Sequence, residues 1–259
     1  MSHRDSLIKT NKELKKPMDL MNVGFVGASG EGDDGSLELS DSDLVSYTKF
    51  NDNFLDSKGS NDGTLTGSTG GYVTGKIGKA YNFTGSSYVK LANESNFDFE
   101  HTDPFSISLW IRPSNTNVST IFAKGTTHFT STGFYLSNVN IGGSQIRLRF
   151  QVNAGGSNYE TWTSVNSTAN TIYHLTCTYD GNSNKNGIKI YRNGSLDSTG
   201  SSNAISASIL NNEQFSIGAT SSGGTKFNGW VDEVSVWSKA LTADNASWLY
   251  NGGSGNELV

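Results

Sequence analysis

Short runs of alternating apolar residues, each closed by a cluster of Gly, Asn, Ser or Thr, recur from residue 44 to residue 237. In Phe105-Ser-Ile-Ser-Leu-Trp-Ile-Arg112 the two-residue period of a strand puts Phe105, Ile107, Leu109 and Ile111 on one face and Trp110 on the other. The same signal marks 44–50, 79–83, 87–91, 120–123, 133–136, 146–152, 159–163, 171–179, 188–192, 215–217 and 229–237. That spacing, broken by turn residues, predicts an all-β sandwich. Thirteen Phe, ten Tyr and five Trp suit its strands, and 30 Gly its turns. With 259 residues there is room for one large domain or two small ones.

Two features vary this pattern. Arg192-Asn-Gly-Ser195 is a hairpin turn of the Asn-Gly type. A single helix is expected near 242–250, with Thr242 as N-cap, Leu241 before it, and Ala246, Leu249 and Tyr250 available for packing. The strand before that helix carries Asp232 and Glu233. Alternation groups Val231, Glu233, Ser235 and Trp237 on one face, and Trp230, Asp232, Val234 and Val236 on the other. A carboxylate on such a face is costly to bury unless it is paired or bound to a cation.

Residues 1–43 differ in composition. A basic tip (Arg4, Lys9, Lys12, Lys15, Lys16) leads into a stretch with seven acids and no base between residues 17 and 43. This reads as an extended N-terminal arm before a domain spanning 44–259. Met18, Leu20, Met21, Val23, Phe25 and Val26 form its apolar cluster, suited either to docking on a partner or to nothing more than a loose terminus. The net charge of −5 argues against nucleic acid as a partner, and no apolar run is long enough to insert in a membrane. The lone Cys177 precludes an internal disulfide and suits a small buried core residue. Homo-oligomerisation is left open.

Five segments in order resemble the laminin-G-like, concanavalin A-like lectin/glucanase family. They are the stretch from Leu44 to Thr64, Gly78-Lys-Ala-Tyr-Asn-Phe-Thr-Gly85, Phe105 to Pro113, the pair Tyr173–Asp180 with Ile190-Tyr-Arg-Asn-Gly194, and the closing strand and helix. The likeness covers about 44–252, although Lys58 replaces the usual Ser or Gly of the opening loop. It implies a jelly-roll sandwich of two antiparallel sheets with a short C-terminal helix. It also implies a structural calcium ion near the opening loop, with Asn51, Asp56, Asn61, Asp62 and Asp232 as oxygen donors. The alternative is that Asp56 and Asp62 only shape turns and that Asp232 pairs with a lysine or a backbone amide.

Hydrolysis of glycans, known on this fold, needs two carboxylates at close range. Between Phe105 and Val231 the acids are Glu160, Asp180, Asp197 and Glu213, none close in sequence to another, which points to a non-catalytic protein. Sugar recognition asks for aromatic faces beside amides. The loops at 128–134, 155–162 and 221–227 offer these, with Tyr159, Trp162, Phe134 and Asn158 as candidates, and Trp162 equally suited to the core. Two readings follow: a secreted or cell-surface carbohydrate-binding or adhesion module, or a virion decoration protein whose arm docks on other particle proteins while its sandwich faces outward.

Overall fold

A computed structural model of the protein describes residues 35–68, 70–127 and 130–259. Its strands are β1 (Leu44–Thr48), β2 (Gly63–Gly67), β3 (Gly71–Thr74), β4 (Lys79–Thr84), β5 (Ser87–Leu91), β6 (Pro104–Pro113), β7 (Ser119–Lys124), β8 (Gly133–Gly142), β9 (Gln145–Ala154), β10 (Ser157–Trp162), β11 (Ser167–Thr168), β12 (Tyr173–Asp180), β13 (Ile188–Arg192), β14 (Ser195–Thr199), β15 (Phe215–Ile217) and β16 (Asn228–Trp237). One helix, α1 (Ala243–Tyr250), follows. The first sheet runs β14-β13-β12-β6-β16-β4-β3 with β1 also on β16; the second runs β10-β9-β8-β7-β15-β5-β2 with β11 also on β9. All pairings between these strands are antiparallel.

The sheets are joined by an aromatic layer. Phe105 lies 4.7 Å from Phe134, 5.0 Å from Phe99 and 5.7 Å from Tyr179, centroid to centroid. Phe215 stacks on Phe97 and Phe122 from the other side. Ile107, Leu109 and Ile111 share that core with Phe105, and Trp110 points outward, as the alternation of β6 predicts. Cys177 is buried in the same core, where burial pushes its thiol pKa up.

A second cluster sits outside the first sheet. Leu37, Leu44, Tyr47, Trp237, Leu241, Leu249 and Leu258 pack together there. The Asn245 amide donates to Gly35 O at 3.0 Å, and Leu39 N to Val259 O at 3.1 Å. Residues 35–43, expected to belong to the arm, are therefore part of the packed domain. Met18, Leu20, Met21, Val23, Phe25 and Val26 lie outside the described residues. Thr242 caps α1 in a reciprocal capping box with Asn245. Asn193 and Gly194 both take positive φ, the geometry a two-residue hairpin turn requires.

Strict alternation fails in β16. The register shifts between Asp232 and Ser235, and Glu233 adopts φ 52°, so a bulge inserts one extra residue. Val231, Val234 and Val236 all reach the core, while Asp232, opposite Trp110, and Glu233, bonded to Tyr47 Oη, both lie on the outer side. The expected placement of the two acids on opposite faces is thus corrected. Burial raises the Asp232 carboxyl to about 7 and the Glu233 carboxyl to about 9, and the nearby Glu257 adds to both shifts. Each binds its proton more tightly when folded than when unfolded. Their stabilising contribution is therefore complete below the ordinary carboxylate range and is lost as pH rises through about 7 and then about 9. Urea unfolding across that range should show stability falling with pH, and Glu233→Gln should flatten the upper part of the fall. A wild-type profile flat up to about pH 9 would contradict this assignment.

Candidate functional site

The outer face of the second sheet follows from the core. Phe150 and Val152 of β9 point inward, so Arg147, Arg149, Gln151 and Asn153 point outward. The register then aligns Thr120, Ser137, Arg149 and Trp162 in one row across β7, β8, β9 and β10. That row spans about 14 Å, three inter-strand spacings. A neighbouring row holds Ala123, Tyr135, Gln151 and Glu160.

Trp162 is half-buried at the edge of this face. Its indole lies under the Arg149 guanidinium, 5.0 Å away, and its Nε1 donates to Glu160 Oε1 at 2.9 Å. Arg149 also approaches Glu160 at 3.7 Å. The three side chains thus fix the indole plane. Beside it lies a depression of about 460 Å³ lined by Ile141, Arg147, Trp162 and Asn166. At the opposite end of the row, where Thr120 Oγ1 meets Thr225 Oγ1 at 2.8 Å, a mostly apolar cavity of about 400 Å³ is lined by Val118 and by threonine and serine side chains. Between the rows' ends, the Gln151 amide is fully buried and makes no hydrogen bond. Such a group costs about 1–3 kcal/mol until a hydroxyl or water reaches it.

The structure divides the sequence-derived candidates. Trp162 and Asn158 share the outer face of β10. Phe134 and Tyr159 do not: both are core residues, Phe134 within the aromatic layer, so neither offers a ring face to a ligand. Of the three expected loops, 221–227 reaches the cavity beside Val118 through Ser222, Gly224 and Thr225; Thr126 and Thr127, which also line it, precede the expected 128–134 loop, whose His128 and Phe129 lie outside the described residues. Sequence reasoning missed Arg147, Arg149 and Gln151. Their parity on β9 was the available signal, since they alternate with Ile146, Leu148 and Phe150.

The expected calcium ligands form two separate hydrogen-bond clamps. Asp56 accepts from Tyr47 N (2.8 Å) and Lys58 N (3.0 Å) on Oδ1, and from Asn61 N and Nδ2 (both 3.0 Å) on Oδ2. Asp62 Oδ1 accepts from Asp56 N at 2.8 Å. The second clamp holds the β3–β4 turn. Asn51 Oδ1 accepts from Lys79 N, and Asp232 Oδ2 from Lys76 N and Ile77 N at 2.7 and 3.1 Å. A side chain at Gly75 would collide with that Asp232 oxygen, and one at Gly78, where φ is +63°, with Asn51. Calcium wants six to eight available oxygens. Asp56 is saturated with N–H donors, while Asp62 accepts on Oδ1 alone and Asp232 Oδ1 is buried without a hydrogen bond. As placed, these side chains are held in two separate clamps rather than gathered in one oxygen shell, which is the arrangement the turn-shaping alternative describes.

Ser108 Oγ lies 3.0 Å from His174 Nε2, beside Glu233, which invites comparison with a nucleophilic triad. The three line a cavity of about 10 Å³ beneath Leu249 and Leu258, room for one water and not for a substrate. Burial lowers the His174 pKa to about 3, so the imidazole is neutral.

With this geometry in hand, comparison with known proteins is decisive for family. Residues 83–247 match the family model described as the concanavalin A-like lectin/glucanases superfamily, in its Laminin_G_3 branch. The chain belongs to this superfamily. No curated protein matches it. Among solved structures, domain 4 of AbnA, an extracellular GH43 arabinanase from Geobacillus stearothermophilus, in complex with arabinotriose, is similar over 79% of this chain and 96% of its own, at 24% identity and TM-score 0.59. The binding domain of Paraclostridial Mosquitocidal Protein 1 is similar over 81% of this chain at 19% identity and TM-score 0.61. The botulinum neurotoxin serotype G binding domain follows, over 80% at 18% identity and TM-score 0.59. This concanavalin A-like chain spans about half the length of those two toxin domains. At these identities the likeness concerns the fold.

The clamp geometry predicts that Asp56→Ala, which strands four N–H donors, lowers stability by about 2–4 kcal/mol in urea unfolding. Calcium and chelator should leave the wild-type melting midpoint where it is; a clear rise with calcium would overturn the clamp assignment.

Proposed function

We propose that the protein is a non-catalytic carbohydrate-recognition module that binds glycans at the Trp162 edge of the second sheet's outer face. The observation that carries this reading is Trp162: an indole fixed by Arg149 and Glu160, half-exposed at a depression that also presents Arg147 and Asn166. A flat apolar ring bordered by amide and guanidinium donors matches a sugar, which has a C–H face and a rim of hydroxyls. Glu160 is the one carboxylate that the strands put on this face, and its oxygens already meet Trp162 and Arg149. Glycoside hydrolysis needs a second carboxylate across the bond to be cut, which argues for binding without cleavage. The arabinotriose complex of the similar arabinanase domain supports carbohydrate as the ligand class.

Display outside the cell fits this reading. Its finer form, decoration of a virion with the N-terminal residues as attachment to other particle proteins, rests on the composition of residues 1–34 alone.

A glycan array, with arabino-oligosaccharides included, tests the proposal on the full chain. Binding to a defined glycan should be lost at least about tenfold, or roughly 1.4 kcal/mol, in Trp162→Ala. The melting midpoint should change little, because Trp162 lies outside the core. Silence of the folded wild type, or undiminished binding by the variant, would sink the reading.

A further inference from the structure

The first sheet carries a depression of its own, on the opposite side of the sandwich from Trp162. Its floor is set by register: Asn82 of β4 lies across from Trp230 of β16, and Trp230 across from Arg112 of β6. Each is outward because its neighbours Tyr81 and Phe83, Val231, and Ile111 are core residues. Val73, Thr74, Ser114 and Ile172 complete a cavity of about 560 Å³. Val73 and Ile172 are 37% and 40% exposed, and they form apolar walls.

Arg112 gives this depression its character. Its Nε donates to Asn170 O at 3.2 Å, which anchors the guanidinium and leaves Nη1 and Nη2 without a hydrogen bond. None of the ion pairs among the described residues includes it, and no acid lines the cavity. The amide of Asn82 and the hydroxyls of Thr74 and Ser114 are likewise unbonded to protein. A planar fork with two free donors is the partner geometry of a carboxylate. The amide, hydroxyls and apolar walls ask for more than a small anion: a ring with hydroxyls and a C–H face. A neutral sugar would leave the guanidinium unused, and the acidic net charge of the chain disfavours a polyphosphate backbone.

We propose that this depression is a second ligand site, for a carboxylate-bearing pyranose such as a uronic or sialic acid residue. The carboxylate sits on Arg112 Nη1 and Nη2, the ring lies between Val73 and Ile172 above Trp230, and the hydroxyls reach Asn82 and Ser114. The site does not depend on binding at Trp162.

The test is an NMR titration of the ¹⁵N-labelled full chain, reading the indole N–H signals of its five tryptophans. The probes are glucuronate, N-acetylneuraminate, glucose and acetate; Trp230 is assigned from the spectrum of Trp230→Phe. The Trp230 signal should move with one or both acidic sugars and not with glucose, and acetate should bind at least about tenfold more weakly. Which acidic sugar binds identifies the source. Arg112→Gln should weaken binding at least about tenfold with an unchanged melting midpoint, and Arg112→Lys should recover only part of it. A silent Trp230, an equal response to glucose, acetate as tight as the sugars, or full affinity in Arg112→Gln would each overturn the proposal. Movement of Trp162 with Trp230 silent would do so too, while leaving the first site intact.

Discussion

The interleaving of Phe105 with Phe99, Phe134, Phe150 and Tyr179 between the two sheets is the contact on which the rest of the molecule depends. It fixes which side of every strand faces inward. Once Phe150, Val152, Ile111 and Val231 are committed to that layer, the two-residue period sends Arg149, Gln151, Arg112 and Trp230 to the outside. The groups proposed to meet ligands are therefore carried on strands whose positions the core sets, a precision that loops alone lack.

The two outer faces are treated differently. The first sheet is partly covered by α1 and the C-terminal residues: Trp110 stacks on Tyr250 at 5.7 Å, and Leu258 is buried with Tyr47 and Trp237. Under that cover lie the protonated Glu233, neutral His174 and Ser108, a polar pocket with room for one water. The edge at β14 and the part around Arg112, Val73 and Ile172 stay open. The second sheet's polar row is buried at Thr120, Ser137 and Arg149, and reaches the surface at Trp162 and the depression beside it.

Much of this was legible in the sequence, for a physical reason. Strands that enter the aromatic layer must alternate strongly, and those segments, such as Phe105–Arg112, stood out. The strands that were missed, β2, β3, β11 and β14, lie at sheet edges or pair beside the main path, are short, and are built from Gly, Thr and Ser with few apolar residues. The bulge at Asp232–Ser235 was hidden because one inserted residue reverses parity without altering composition. Phe134 and Tyr159 were misplaced because each lies where an expected strand meets a Gly- or Asn-rich loop, and composition does not say which face of that strand turns inward. Asp56 illustrates the opposite difficulty: the residues that would supply a metal's oxygens also make hydrogen-bonded turns, and only the four N–H donors on its carboxylate separate the two.

The most direct test of the account is a crystal structure of the full chain with an oligosaccharide selected on the array. The account predicts an intact sugar ring stacked on the Trp162 indole, with hydroxyls bonded to Arg147 or Asn166. Sugar bound elsewhere with Trp162 bare, or a ligand found cleaved, would contradict it.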